Sequence, residues 1–233
     1  MTMRLARFLA HGGVASRRAS VELVKAGRVS VEGEVVTDPA TELAEVARVE
    51  IDGRAVEPEP REVWALNKPA DVVSTAREPG RRRAITDLVD SERRLYPVGR
   101  LDADSTGLIL LTNDGELANR LTHPRYEVPK TYRVRLARPP SREQIEQLRK
   151  GIELEDGLTS PAAVERVGER EIEVTIHEGR KRQVRRMAEA IGNEALSLRR
   201  IRIGSLALGD LKQGKARRLS DDEVAGLWED ARG

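Results

Sequence analysis

Two aspartates stand directly before an apolar run in the middle of the chain, and this position suits them for chemistry. Asp102 and Asp104 precede residues 108–111, four consecutive apolar residues that predict a buried strand. A carboxylate at the end of a buried strand is held in place yet reaches solvent, as a nucleophile or a base must. Arg100 lies two residues earlier, and a nearby guanidinium favours the ionised carboxylate. The segment predicts a reactive Asp102, although an ordinary strand after a polar turn explains the same pattern.

A dense basic segment follows a later predicted strand. Residues 180–186 contain five basic residues and no acid, and apolar residues recur from Val184 onward at helical spacing. Such a surface binds the phosphates of a polyanion such as RNA, with a strength that depends on salt. The basic residues are Arg180, Lys181, Arg182, Arg185 and Arg186.

Tyr132 lies in residues 130–136, where apolar and polar side chains alternate as they do in a half-buried strand. Its ring offers a surface on which a nucleic-acid base stacks, a contact worth about 1–3 kcal/mol. From periodicity alone, an ordinary strand tyrosine with no role in binding explains this residue better.

The first sixty residues separate charge sharply. Residues 1–30 contain six basic residues and one acid, whereas residues 31–60 contain two basic residues and nine acids. Ser16 predicts the start of a second short helix, and Gly33 the turn of a hairpin. Four cations on and just after this helix predict a basic edge for phosphates, although a solvated helix face explains them too. They are Arg17, Arg18, Lys25 and Arg28.

The rest of the chain alternates hairpin-linked strands with single helices, which predicts an α+β fold with an antiparallel or mixed sheet. We expect one domain in residues 1–60 and a larger one in residues 61–233. Residues 54–62 are acidic and proline-containing and predict a short, stiff linker. Residues 77–84 form a basic loop that either contacts phosphates or is a flexible insertion.

Composition limits the function further. The 233 residues include no cysteine and only three histidines, which argues against thiolate or histidine metal sites and cysteine nucleophiles. The net charge is only +2, so partners must be inferred from local charge. No long apolar run begins the chain, and we expect a soluble, cytoplasmic protein without a membrane span.

The N-terminal stretch RLARFLAHGGVASRRASVELVKAGRVSVEGEVVTDPATEL resembles, nearly from end to end, the small alpha-L RNA-binding domain first seen in a small-subunit ribosomal protein. The resemblance rests on the spacing of the helix, glycine, serine and arginine pair, and on the KAGRVSVEG turn. It implies that structured RNA binds to the basic helical face.

The larger part resembles an RsuA/RluB-type RNA pseudouridine synthase in three stretches: LNKPADVVST, GRLDADSTGLILLTNDGELANRLTHPRYEVPKTYRV and EGRKRQVRRM. Together with the N-terminal stretch and the tail LRRIRIGSLALGDLKQGKARRLSDDE, the resemblance covers almost the whole chain. It implies isomerisation of a uridine already in RNA by an enzyme that needs no cofactor and no metal. We expect ribosomal RNA as the partner and a monomeric protein.

The same resemblance implies residue roles. Asp102 matches the essential aspartate, Arg185 the basic residue that pairs with it, and Tyr132 the ring that packs on the target base. Arg100 matches the arginine that fills the gap left by the flipped nucleotide, and Lys130 is expected to position the RNA backbone.

Other functions compete with this one. Asp102-Ala-Asp104-Ser-Thr106 fits the D-x-D-x-T pattern of magnesium-dependent phosphatases, but those place an apolar strand directly before the first aspartate. A non-enzymatic RNA-binding or ribosome-assembly protein needs only the basic segments. Large-subunit rRNA is the expected substrate, because EGRKRQVRRM and the arginine-rich loop look closer to the RluB branch, and small-subunit rRNA is the alternative.

Overall fold

The computed structural model describes residues 3–44, 46–75 and 83–232. The chain divides into two compact units. Unit 1 comprises Met1–Arg61, Glu92–Arg94 and Asn113–Gly115, and unit 2 comprises Glu62–Ser91, Leu95–Thr112 and Glu116–Gly233. In the described ranges, no helix is long and apolar enough to cross a membrane.

Unit 1 packs two short helices with small antiparallel sheets. Ser16 caps the second helix by accepting a hydrogen bond from the amide of Ala19, as the sequence predicts. Leu5, Leu9 and Val24 are completely buried and form the centre of its core. The helices are α1 (Leu5–His11) and α2 (Arg17–Lys25), and the strands are β1 (Met3–Arg4), β2 (Val29–Val31), β3 (Glu34–Val35), β4 (Glu42–Leu43), β5 (Val49–Ile51) and β6 (Arg54–Ala55).

The predicted linker over residues 54–62 starts too early, because Arg54–Ala55 form strand β6 and pair with β5. The turn between these strands is Asp52-Gly53, with φ angles of 49° and 76°. An Asp-Gly pair with positive φ at both residues is a strong signal for a two-residue hairpin. The acidic residues that follow Asp52-Gly53 favour a linker by composition, and the hairpin signal of this pair was therefore not used.

The chain beyond residue 62 builds one large sheet with helices packed on it. Its described helices are α3 (Gly115–Thr122), α4 (Arg142–Lys150), α5 (Gln183–Ala190) and α6 (Asp221–Asp230), with 3-10 turns at Ile85–Leu88 and Pro124–Tyr126. Its described strands are β7 (Val63–Lys68), β8 (Tyr96–Val98), β9 (Thr106–Thr112), β10 (Lys130–Leu136), β11 (Glu153–Leu154), β12 (Gly157–Leu158), β13 (Ala163–Arg166), β14 (Glu171–Ile176), β15 (Ala195–Ile203), β16 (Leu206–Ala207) and β17 (Ala216–Arg218).

The strand order of this sheet is β13-β14-β10-β15-β9-β7-β17, with β16 paired to β15 and β8 to β9. Most neighbours are antiparallel, but β15 and β9 run parallel. The predicted α+β fold with a mixed sheet is therefore confirmed. Tyr132, Val134 and Leu136 point into the core as their alternation predicts, while Arg133 and Arg135 are exposed.

Gly107 allows β9 and β15 to approach closely. Its φ is +100°, and a Cβ there would collide with the carbonyl oxygen and amide nitrogen of Arg200. Only glycine meets both demands, because it has no Cβ and tolerates positive φ. The parallel pair brings the start of β9, just after Asp102, beside the middle of β15.

Candidate active site

A cavity of about 280 Å³ opens in unit 2 where β10, β15 and the segment before β9 meet. The central strands β10, β15 and β9 are neighbours in the sheet, so side chains distant in sequence share its wall. Its polar lining includes Arg100, Asp102, Lys130, Tyr132, Arg182 and Arg200.

The backbone around Asp102 is tied down by two residues of the β7 region. Lys68 is completely buried, and its ammonium group donates to the carbonyls of Ala103 at 3.3 Å and Ser105 at 2.8 Å. The hydroxyl of Ser74 accepts from the amide of Leu101 at 3.0 Å and donates to its carbonyl at 2.7 Å. Asp102 therefore projects from a fixed loop, as a reacting group must.

Lys68 holds this loop at an electrostatic cost. Burial lowers its pKa to about 8, against the raising effect of Asp104, Asp102 and Asp71. An ammonium group removed from water loses hydration, and hydrogen bonds to carbonyl oxygens replace it. Lys68 lies within the motif LNKPADVVST, but a lysine in a predicted strand carries no local signal of burial.

Arg182 bridges the two aspartates. Its guanidinium lies 3.8 Å from the carboxylate of Asp102 and 3.3 Å from that of Asp104. The residue has a left-handed backbone with φ of 51°, and it directly precedes the first residue of α5, Gln183. Positive φ is uncommon in a residue with a side chain, and here it occurs in the residue that contacts both aspartates.

The expected pairing of Arg185 with Asp102 is not the one in this structure. Within the described chain, Arg185 forms its ion pair with Asp104, at 3.3 Å, and donates to the carbonyl of Ala195 at 2.7 Å. Arg185 is buried in α5, whereas Arg182 lies in the preceding turn and reaches Asp102. The carbonyl of Ala195 and the carboxylate of Asp104 fix the Arg185 guanidinium behind the loop that carries Asp102.

The pKa of Asp104 is lowered. Burial on its own raises this pKa, but the hydrogen bond from Arg182 and the charges of Arg185 and Arg182 outweigh it. Asp104 consequently stays ionised and aligns both guanidinium groups. The side chain of Asp102 is 38% exposed, so a ligand can reach its carboxylate.

Tyr132 and Arg200 face each other across β10 and β15. They are directly paired in the register, and Arg200 Nη1 lies 3.4 Å from the Tyr132 hydroxyl. A bulge shifts the register between Thr131 and Tyr132, so that both Arg200 and Ile203 are buried. Strict alternation puts residues 200 and 203 on opposite faces of a strand, so the bulge allows both to be buried on the same face.

Lys130 lines the same cavity, and its ammonium group donates to the carbonyl of Val128 at 2.9 Å. Burial, followed by the charge of Arg200, lowers the pKa of Lys130 to about 8. The cavity thus places a carboxylate, a phenol and several cations around a single space. These groups can bind an anionic ligand and act on it by acid–base or nucleophilic chemistry.

The other cations of unit 2 that were expected to bind RNA differ in whether their side chains are exposed or already hydrogen-bonded within the protein. Arg100 and Lys181 are exposed and line the cavity. Arg180 instead holds the β11–β12 hairpin, because its guanidinium donates to the carbonyls of Gly157 at 2.7 Å and Leu158 at 2.6 Å. Of the basic loop over residues 77–84, the part up to residue 82 lies outside the described residues.

The four cations predicted to form a basic edge in unit 1 are all exposed. Arg17 and Arg18 open α2, and Lys25 ends it beside Glu22, at 3.9 Å. Arg28 donates from Nε to Asp52, in the turn between β5 and β6, at 3.0 Å, so its charge is already balanced within unit 1. Arg17 and Arg18 therefore have the stronger case as phosphate contacts.

Two protein-family models match this chain, one in each unit. A family model described as RNA pseudouridylate synthase matches residues 62–190, and a model described as S4 domain matches residues 3–49. The expected small N-terminal RNA-binding domain is thereby confirmed. In the phosphatase pattern an apolar strand comes first, whereas here β9 follows the two aspartates.

Relatives extend the likeness to the whole chain. Ribosomal large subunit pseudouridine synthase B of Bacillus subtilis (strain 168) is 44% identical over 96% of this chain and 95% of its own length. Ribosomal small subunit pseudouridine synthase A of Vibrio cholerae is 39% identical over 97% of this chain and 100% of its own. A crystal structure of a pseudouridylate synthase superposes with a TM-score of 0.72 at 31% identity, covering 97% of this chain and 99% of that one.

Proposed function

Because the chain belongs to the RNA pseudouridylate synthase family, we propose that it converts a uridine of large-subunit ribosomal RNA into pseudouridine, with Asp102 as the reacting carboxylate. The observation that carries this proposal is the cavity in which Asp102 meets Tyr132 and Lys130, with Arg182 beside the carboxylate. The loop that carries Asp102 is fixed by Lys68 and Ser74, so the carboxylate is positioned before substrate arrives.

The isomerisation conserves atoms. The bond between ribose C1′ and uracil N1 breaks, a bond between C1′ and C5 forms, the C5 proton leaves to solvent, and N1 takes up a proton. Asp102 acts either by attacking the nucleoside or by removing a sugar proton, and both routes require an ionised carboxylate. Tyr132 lines the same cavity as Asp102, which supports a role for its ring against the pyrimidine and for its hydroxyl in proton transfer.

The reacting atoms of a stacked uridine are inaccessible, so the nucleotide must flip out of its helix to reach the cavity. Flipping costs a few kcal/mol, which the basic surfaces offset through phosphate contacts. Arg100 is exposed at the cavity wall, which suits the role of filling the gap left in the RNA.

Two observations support the choice of large-subunit rRNA over small-subunit rRNA. The relative named for the large subunit is 44% identical, and the one named for the small subunit 39%. The segment EGRKRQVRRM supports the same choice.

The proposal is tested by mapping pseudouridines across all rRNA from cells with and without the gene. We expect a uridine of large-subunit rRNA to lose its modification, and the wild-type gene to restore it. Loss confined to the small subunit would favour the alternative substrate, and an unchanged map of both subunits would refute ribosomal RNA as the substrate.

A further inference from the structure

Arg200 belongs to none of the roles described so far, yet it is the most enclosed cation of the cavity wall. Its residue is only 3% exposed, in the middle of β15. Arginine is rarely buried unless its donors are paired, because the charged group loses its hydration. The hydrogen-bond acceptor of each Arg200 nitrogen therefore decides what this residue can bind.

Two of its nitrogens have partners inside the protein. Nε donates to the carbonyl of Leu108 at 2.7 Å, a short hydrogen bond that fixes the plane of the guanidinium. Nη1 lies 3.4 Å from the hydroxyl of Tyr132, and the guanidinium carbon lies 5.9 Å from the centre of that ring. The group is thus anchored on one side and touches the phenol on the other.

The third nitrogen is different. Nη2 is buried and has no acceptor among the residues that the structure describes. An unsatisfied donor inside a protein is costly and uncommon, so an acceptor atom bound beside Nη2 would stabilise this arginine. Arg200 lines the cavity together with Asp102 and Tyr132, so the occupant that reacts with Asp102 can supply that acceptor.

We infer that Arg200 binds the flipped nucleotide directly, by donating from Nη2 to an acceptor oxygen of its uracil or of its phosphate. The inference rests on the proposed function, since the occupant is the uridine that Asp102 attacks or deprotonates. The register shift in β15 leaves Arg200 paired with Tyr132 on the cavity wall, and the close approach at Gly107 places the backbone of β15 beside β9. One residue thus orients the nucleotide relative to both the carboxylate and the phenol.

The first arm of the test uses wild-type protein and no mutation. In one set of short RNAs the mapped uridine is replaced by 2-thiouridine or 4-thiouridine, and in another the phosphate 5′ of that uridine is a phosphorothioate. Each change weakens one hydrogen-bond acceptor. Because the C5 proton is released, tritium at C5 reports single-turnover isomerisation at saturating protein. We expect one of these RNAs to react roughly 10-fold more slowly than the unsubstituted RNA. The sensitive position identifies the oxygen as one of the pyrimidine or one of the phosphate.

The second arm compares Arg200→Lys with Arg199→Lys. Lysine keeps the charge but loses the fork of donors, and Arg199 is the exposed neighbour on the same strand. We expect Arg200→Lys to slow the unsubstituted RNA by roughly the same factor as the sensitive analogue slows the wild type. In Arg200→Lys the sensitive analogue should slow isomerisation by less than about twofold further, because the hydrogen bond from Nη2 is already lost. Arg199→Lys should retain the wild-type rate and the full sensitivity to the analogue.

Three results would overturn the inference: none of the analogues slows the wild type, Arg200→Lys reacts as fast as the wild type, or the analogue slows both proteins equally. The comparison of RNA analogues uses wild-type protein only, so it can refute the inference even if Arg200→Lys folds poorly. A thermal unfolding curve of Arg200→Lys detects poor folding. Failure of the proposed function looks different, because the wild type then releases no tritium from any ribosomal RNA.

Discussion

Arg18 of unit 1 and Arg200 of unit 2 carry the same guanidinium group, but the protein holds the two very differently. Arg18 is exposed in the first turn of α2. Arg200 is 3% exposed, with Nε fixed on the carbonyl of Leu108. An exposed cation adds affinity for phosphates at long range and independently of sequence, whereas a fixed one defines where a ligand atom must lie.

The same contrast applies to the rest of the two regions. Around the cavity, Arg182 and Arg185 are held by Asp104, and Lys68 holds the loop that carries Asp102. Arg17 and Arg18 lie on an exposed helix face. From this difference we predict that unit 1 contributes affinity for RNA and that unit 2 contributes the chemistry.

The largest effect on stability is expected at Gly107. Gly107→Ala adds a Cβ against the backbone of Arg200 in a residue with φ of +100°. The combined strain and overpacking should lower the free energy of unfolding by roughly 2–5 kcal/mol. Gly33→Ala in the unit 1 hairpin is the matched control, since its φ is +85° but nothing lies within 4 Å. Urea titration of both variants should show the smaller loss at Gly33, and equal losses would contradict the close approach.

Arg185 should be next in size. Arg185→Met removes the donor to Ala195 and one partner of Asp104, which should cost about 1–3 kcal/mol of stability and slow isomerisation at saturating RNA. Arg18→Met makes the same chemical change at an exposed site and should leave both quantities nearly unchanged. A wild-type rate for Arg185→Met would show that the pairing with Asp104 does not position the Asp102 loop.

Lys130 gives the pH dependence. Burial and the charge of Arg200 lower its pKa to about 8, so it loses its positive charge between pH 7 and 9, where an ordinary lysine keeps it. If Lys130 contacts the RNA backbone, the KM for RNA rises across this interval by roughly 5-fold. Lys130→Arg remains charged and should lack this rise. Identical pH profiles for the two proteins would remove Lys130 from the RNA contacts.

The smallest effect per residue should come from the exposed cations of α2. Replacing both Arg17 and Arg18 with serine should make the slope of log affinity against log salt shallower by about two. The rate at saturating RNA should not change. Glu22→Gln, which removes a nearby negative charge on the same helix, should change affinity slightly in the opposite direction. A lowered saturating rate in the double variant would give unit 1 a part in the chemistry.

Much of the fold was accessible from the sequence because local rules determine it. The N-cap at Ser16 and the alternation through Tyr132 are decided by residues a few positions apart, and both predictions are confirmed. The bulge in β15 and the hairpin at Asp52-Gly53 were missed. The bulge depends on how distant strands pair, which one strand does not reveal, whereas the hairpin had a local signal.

The site was predictable in its residues and less so in its pairings. Asp102, Tyr132 and Lys130 do line one cavity. The partner of Asp102 depends on the left-handed backbone at Arg182, which the composition of a basic run does not indicate. Lys68 and Arg200 were missed because a cation in a strand gives no sign of burial until the sheet is assembled.

The division of labour is tested most directly by comparing Asp102→Asn with the Arg17→Ser, Arg18→Ser double variant on the same ribosomal RNA, with binding and tritium release measured for both. We expect Asp102→Asn to bind RNA as the wild type does but to isomerise it at least roughly 100-fold more slowly at any RNA concentration. The double variant should bind more weakly and recover the wild-type rate at saturation. Isomerisation by Asp102→Asn at the wild-type rate would contradict the assignment of the chemistry to this carboxylate.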